Sequence, residues 1–264
     1  MSEDAVSLYR ADDRLTVFPD PSEVFASRVE EHSRYFLPIL KLDVSLACPD
    51  LQATLPIAIP MEPTPGWGAL AENTTLYHTR LCFDDWMGWR LVDGRCEFLS
   101  DFRYFHRAFY EGSPPADAMH QEEANEIEEH YATTREAFEL RREFFRKHGW
   151  VCTEPGTWDP AEKDGPDEWD SLVSVGGESF DGNWSGCGWP SELPINRYPD
   201  REKFPPTEHG SPDCGRVCPC SEDGRNFRYI CGIEMWRYIN DTNGFLLIFY
   251  DPVDQILVNV IDWS

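Results

Sequence analysis

FRYICGIEMWRYINDTNGFLLIFYDPVDQILVNVIDW, residues 227–263, decides how the fold is read. Phe227, Tyr229, Cys231 and Ile233 alternate with Arg228, Ile230 and Gly232, which predicts a strand with the first set on one face. Asn243-Gly244 marks a tight turn, Phe245 to Tyr250 is a continuous apolar strand, and Asp251-Pro252-Val253-Asp254 makes a second turn. From Gln255 to Trp263, Ile256, Val258 and Val260 alternate with Leu257, Asn259 and Ile261. The expectation is a C-terminal three-stranded antiparallel meander. Both faces of its last two strands are apolar, so it belongs in the middle of a sheet that other layers cover.

Upstream, short strands broken by prolines are expected at Tyr35 to Leu46, Thr54 to Pro60, Thr75 to Phe83 and Gly88 to Val92. Pro38, Pro56 and Pro60 suit strand edges or ends, because proline cannot donate to a ladder. After Pro114 and Pro115, the stretch 116–148 has neither Pro nor Gly, and Gly149 stands where a C-terminal cap belongs. Ile127, Tyr131, Thr134, Phe138, Arg141 or Arg142, and Phe145 recur at three- and four-residue steps, which predicts one long amphipathic helix. Acids crowd its first half and bases its last turns, as the helix dipole favours. Thr153 to Asp170 mixes Pro, Gly and acids without period and reads as a loop and boundary. The fold class is therefore α+β, mainly antiparallel sheets with one long helix. Residues 1–152 form an N-terminal β-rich region with the helix and 171–264 a C-terminal region, the alternative being one compact domain.

The 264 residues carry 23 Lys+Arg against 48 Asp+Glu, a formal charge of −25. More than two acids per base argue against nucleic acid and anionic membranes as partners. The start, MSEDAVSLYRADDR, lacks the basic and apolar regions of a signal peptide, and no apolar run is long enough for a span, so the expected location is the cytoplasm. Nine cysteines in that setting read as reduced thiols or metal ligands. The cluster Cys214-x3-Cys218-Pro219-Cys220, with His209 before it, is the one stretch that offers a structural zinc site of one nitrogen and three sulfurs. Cys231 is a reserve ligand. Because no second spaced pair exists, free thiols and no cofactor are the expectation, with structural zinc as the alternative.

Hydrolase, P-loop, dinucleotide and zincin motifs are absent; Gly182-Asn183-Trp184-Ser185-Gly186 lacks the glycine placement of a nucleophile elbow. Asp84-Asp85 and Glu122-Glu123 are carboxylate pairs by sequence only, since adjacent residues do not face one another. They stand as candidate contacts to a basic partner. Trp184 and Trp189, in the aromatic loop WSGCGW, are candidate hot-spot residues, the other reading being that they cap the core.

From Val175 onward Gly176-Gly177, Trp189-Pro190, Cys218-Pro219-Cys220, Phe227 to Ile233 and the strand pair around Gly244-Phe245 follow in order. This order resembles the YwqG-like family over about a third of the chain. Gly232 stands where that family usually has Gln, and Glu178 where a Pro commonly follows the two glycines. The resemblance implies a mixed α+β fold without established catalytic residues, and kinship with immunity partners of bacterial toxins. The functional expectation is a protein that binds and occludes a basic toxin. The alternative is a Cys- or metal-dependent hydrolase.

Overall fold

The computed structural model describes residues 5–63, 68–112, 118–159, 161, 165–166, 170–179, 182–185, 194–199, 215–240 and 242–263. In chain order its elements are β1 (Val6–Leu8), β2 (Leu15–Val17), α1 (Pro21–Val24), α2 (Val29–Tyr35), β3 (Phe36–Asp43), β4 (Thr54–Pro60), β5 (Trp86–Val92) and β6 (Arg95–Phe98). Then come α3 (His106–Gly112), α4 (Ala118–His148), β7 (Val173–Val175), β8 (Ile195–Pro199), β9 (Gly215–Pro219), β10 (Arg228–Glu234), β11 (Phe245–Asp251) and β12 (Ile256–Asp262). The chain is α+β, with antiparallel sheets, the long helix and the C-terminal meander that its periodicities predict. No helix among the described residues is long and apolar enough to cross a membrane.

The main sheet has seven strands in the order β1-β7-β10-β11-β12-β5-β6. The meander β10-β11-β12 forms its middle, as expected from strands that are apolar on both faces. Leu246, Ile248, Leu257 and Ile261 face a principal core shared with Leu37, Ile57 and Ile59 of the three-stranded sheet β2-β3-β4. Phe249, Val258 and Val260 face a second cluster with Trp86, Trp184 and Val217 of β9. Fully burying each such side chain is worth ~1.5–3 kcal/mol, and this sheet does so on both sides. Because β5-β6 lie beside β12 and β1 pairs with β7, the boundary at 153–170 separates stretches of sequence and not sheets.

The prolines sit where their missing N–H costs least. Pro56 and Pro60 lie on β4, an edge strand, and Pro38 lies in the part of β3 beyond the reach of β2, whose ladder covers only Leu40 to Leu42. The long helix ends as predicted: Gly149 adopts φ +78° and donates its N–H to Phe145 O at 2.7 Å. Ile127, Tyr131, Thr134, Phe138 and Arg141 are all buried, with Phe138 and Phe145 set edge-on against Phe18.

Three expectations are corrected. Thr75 to Phe83 is not a strand: Thr79 and Cys82 exchange backbone hydrogen bonds, and the Thr79 hydroxyl also accepts the Cys82 N–H at 3.1 Å, which closes a turn locally. Asn243-Gly244 is not a tight hairpin. The connection runs through a single helical turn at Met235–Arg237, because Met235, Tyr238 and Ile239 are drawn into the core. Gly244 serves close approach instead, since a Cβ there would meet Ile261 Cγ2 at 2.9 Å. Third, Phe227, Tyr229, Cys231 and Ile233 do not share a face. A bulge between Tyr229 and Cys231 turns Phe227 and Tyr229 toward the second cluster, and Cys231 and Ile233 toward the principal core.

Gly88 of β5 receives the 79–82 turn at close range: a Cβ there would lie 2.8 Å from Leu81 Cβ and 3.1 Å from the Leu81 carbonyl oxygen. Neither atom is the free end of a side chain. Gly88→Ala should lower stability by about 1–3 kcal/mol through overpacking, read as a shift of the urea midpoint at constant slope.

Candidate functional site

Asp84 and Asp85 occupy a corner where the loop before β5 meets the end of β12. Asp85 adopts φ +50°, which Asp tolerates better than bulkier residues, and is 5% exposed. Its carboxylate accepts the Leu70 N–H and the Trp263 indole N–H, each at 2.8 Å. Its own carbonyl accepts the Ile261 N–H at 2.9 Å. Burial pushes its carboxyl up to about 7; the two hydrogen bonds oppose that rise and the neighbouring Asp84 and Glu72 add to it. Asp84 is half-buried, with His78 Nε2 3.7 Å from its Oδ1, and burial raises it as well. Asp85, a candidate partner contact by sequence, is thus buried and fastens two parts of the fold.

Trp184 also lies in the interior. It is 2% exposed and lies 5.7 Å from Trp86, whose indole N–H donates to the Trp184 carbonyl at 3.1 Å. Of its two readings, capping the core is the one this burial supports. Trp189, His209 and Cys214 lie outside the described residues.

Cys218 and Cys220 are both buried. Cys218 Sγ lies 4.0 Å from the Ser179 hydroxyl and Cys220 Sγ 4.0 Å from an Arg80 guanidinium nitrogen. Cys231, the reserve ligand, is fully buried in the principal core. Among the described residues no group of three or more His, Cys, Asp and Glu side chains is placed to hold a metal ion. Burial raises the thiols of Cys48, Cys82, Cys96 and Cys231, the opposite of what a nucleophile needs.

Glu122 and Glu123 stand on α4, and the structure separates their roles. Glu123 accepts the Tyr110 hydroxyl at 2.7 Å, whereas Glu122 is exposed. Glu122 heads a stripe opposite the buried one: Glu126, Glu129, Thr133, Glu136 and Leu140 follow at steps of three and four, all exposed. Neighbouring Glu128 accepts two parallel bonds from Arg107, through Nε and Nη2, at 2.8 Å each. Glu122, Glu126, Glu129 and Glu136 make no ion pair with any described residue. Leu140, 48% exposed, adds an apolar contact at the end of the row. Among the described residues, no hydrogen bond or ion pair joins this face to the Asp84–Asp85 corner. Stepping along the helix by three and four from Glu122 would have found Glu136 and Leu140 in the sequence.

A scan of protein-family models and searches of curated proteins and of solved structures each find no match to this chain.

Proposed function

We propose that this chain is a cytoplasmic binding protein that occludes a basic protein partner, in the manner of an immunity protein set against a toxin. One observation carries the reading: the row of exposed carboxylates on the outer face of α4 that make no ion pair with any described residue. Like charges three and four residues apart cost a helix about 0.2–0.5 kcal/mol per pair. The row Glu122 to Glu136 spans about 21 Å at 1.5 Å per residue, the scale of one side of a standard interface. Lysines or arginines on a partner relieve the repulsion, and the charge of −25 speeds their approach. The order of motifs resembling YwqG-like chains points the same way, as does the raised state of the described core thiols, which disfavours a Cys-dependent hydrolase at those positions.

The test starts with capture of the partner from native-host extract, followed by association kinetics. Raising salt from about 0.05 to 0.5 M, which shortens the Debye length to a few ångströms, should slow the on-rate at least tenfold and leave the off-rate nearly unchanged. Replacing Glu122, Glu126, Glu129 and Glu136 together by Gln should slow it similarly at low salt. The same variant should melt about 1–3 °C higher, because the repulsion along the helix is gone. An unchanged on-rate removes α4 as the interface. Failure to recover a protein partner, with substrate turnover lost on one Cys or His replacement, moves the chain to the hydrolases.

A further inference from the structure

Between the 79–81 turn, the open face of β5-β6 and the turns at 221–225 and 254–256 lies a cleft of about 630 Å³. That volume is within the range of small-molecule sites. Its floor is apolar: Leu81, Leu99, Phe227 and Ile256 line it, and all four belong to the second cluster or pack against it. Arg80, Arg90 and Arg225 reach it from three separate stretches of sequence.

The charges divide into those already committed and those still available. Arg225 is held by Asp223 at 2.9 Å, Asp251 at 2.7 Å and Asp254 at 2.6 Å, which also occupies the two rim aspartates. Arg80 meets no carboxylate among the described residues. Its guanidinium donates to the Cys220 carbonyl at 2.9 Å and the Ser221 carbonyl at 3.0 Å, with Cys220 Sγ at 4.0 Å, so at least two of its five N–H groups remain. These contacts fix its plane. Arg90 stands in register between Ile256 and Glu97, is exposed, and makes no hydrogen bond or ion pair with any described residue. Of the charges that line the cleft, those still available are two guanidiniums and one carboxylate, Glu222, in a chain with more than two acids per base; Glu97, the cross-strand neighbour of Arg90, accepts the Ser27 hydroxyl at 3.0 Å.

We propose that this cleft binds a small amphipathic anion, with Arg80 and Arg90 taking its carboxylate, sulfonate or phosphate and the apolar floor taking its aromatic or aliphatic body. A guanidinium pairs with such groups through two parallel N–H donors, and the carbonyl contacts orient Arg80 beforehand. The proposal is independent of the α4 face.

The probe is 8-anilinonaphthalene-1-sulfonate, followed by fluorescence and by calorimetric titration of the folded chain. Saturable binding of one molecule per chain is expected. Arg90→Gln should weaken it at least tenfold with an unchanged melting temperature, because the exposed Arg90 side chain makes no hydrogen bond or ion pair with any described residue. Arg80→Gln should weaken it as well, with some loss of stability from its carbonyl contacts. N-Phenyl-1-naphthylamine, which keeps the rings and lacks the sulfonate, should bind at least tenfold more weakly. Wild-type affinity in Arg90→Gln, equal binding of the neutral amine, or no saturable binding would each overturn the proposal.

Discussion

Replacing Glu62 by alanine should cost about 4 kcal/mol of stability. Glu62 follows β4 and is buried, yet all its bonds are made at long range. Its carboxylate accepts the His106 N–H and the Arg107 N–H, each at 3.0 Å, and the Tyr131 hydroxyl at 2.8 Å. It therefore closes the first amides of α3 and ties the small sheet to the middle of α4. Alanine removes three acceptor bonds: those to the buried His106 amide, the part-buried Arg107 amide and the buried Tyr131 phenol. Glutamine keeps one oxygen in place and should cost only about 1–2 kcal/mol. Urea unfolding followed by circular dichroism measures both, with parallel slopes as the sign that the native state stays intact. A loss under about 1 kcal/mol for Glu62→Ala would show that water or a neighbouring group replaces the carboxylate.

The second large effect is a dependence on pH centred on Asp85. Its carboxyl titrates near 7 in the folded chain because of burial, against an ordinary value of about 4 in the unfolded chain. Between those values the folded state holds a proton that the unfolded state has released. Stability is accordingly highest below about pH 4 for this group and falls as pH rises toward 7. A gap of about three units at ~1.4 kcal/mol each amounts to about 4 kcal/mol, or roughly 8–15 °C in melting temperature. Asp85→Asn removes the titration and gives up the indole bond from Trp263. The variant should be the more stable protein at pH 8 and the less stable one at pH 4.5. Any slope left in it belongs to groups such as half-buried Asp84, whose carboxyl is also raised. Melting curves for the two proteins that run parallel from pH 4.5 to 8 would remove Asp85 as the cause.

Where the sequence reading held, the signal was local. Leu246 and Ile248 alternate with Leu247 and Phe249, and no residue outside that window is needed to see a strand apolar on both faces. The helix was legible from its buried stripe and from Gly149, since 3.6-residue periodicity and a left-handed cap act within a few positions. The acidic half of α4 was visible for the same reason. Where the reading failed, the deciding contact was distant or needed an irregular backbone. The bulge beside Ile230 exchanges the faces of β10, and alternation alone carries no mark of an inserted residue.

The chain's local patterns alone determined the α+β class, the meander, the long helix with its capped end and its acidic face. Only the tertiary structure decided which strands became neighbours. It also decided which charges became structural. Asp85 looks like its neighbour Asp84 until Trp263 arrives from 178 positions away. Glu62 is unremarked in the sequence until residues 44, 45 and 69 positions later converge on it. Arg80 is an isolated base until the Cys220 carbonyl, 140 residues on, orients it over the cleft. The physical reason is common to all three. Propensity and periodicity act through neighbours along the chain, whereas desolvation, long-range hydrogen bonding and the shape of a cleft depend on groups that only folding brings together.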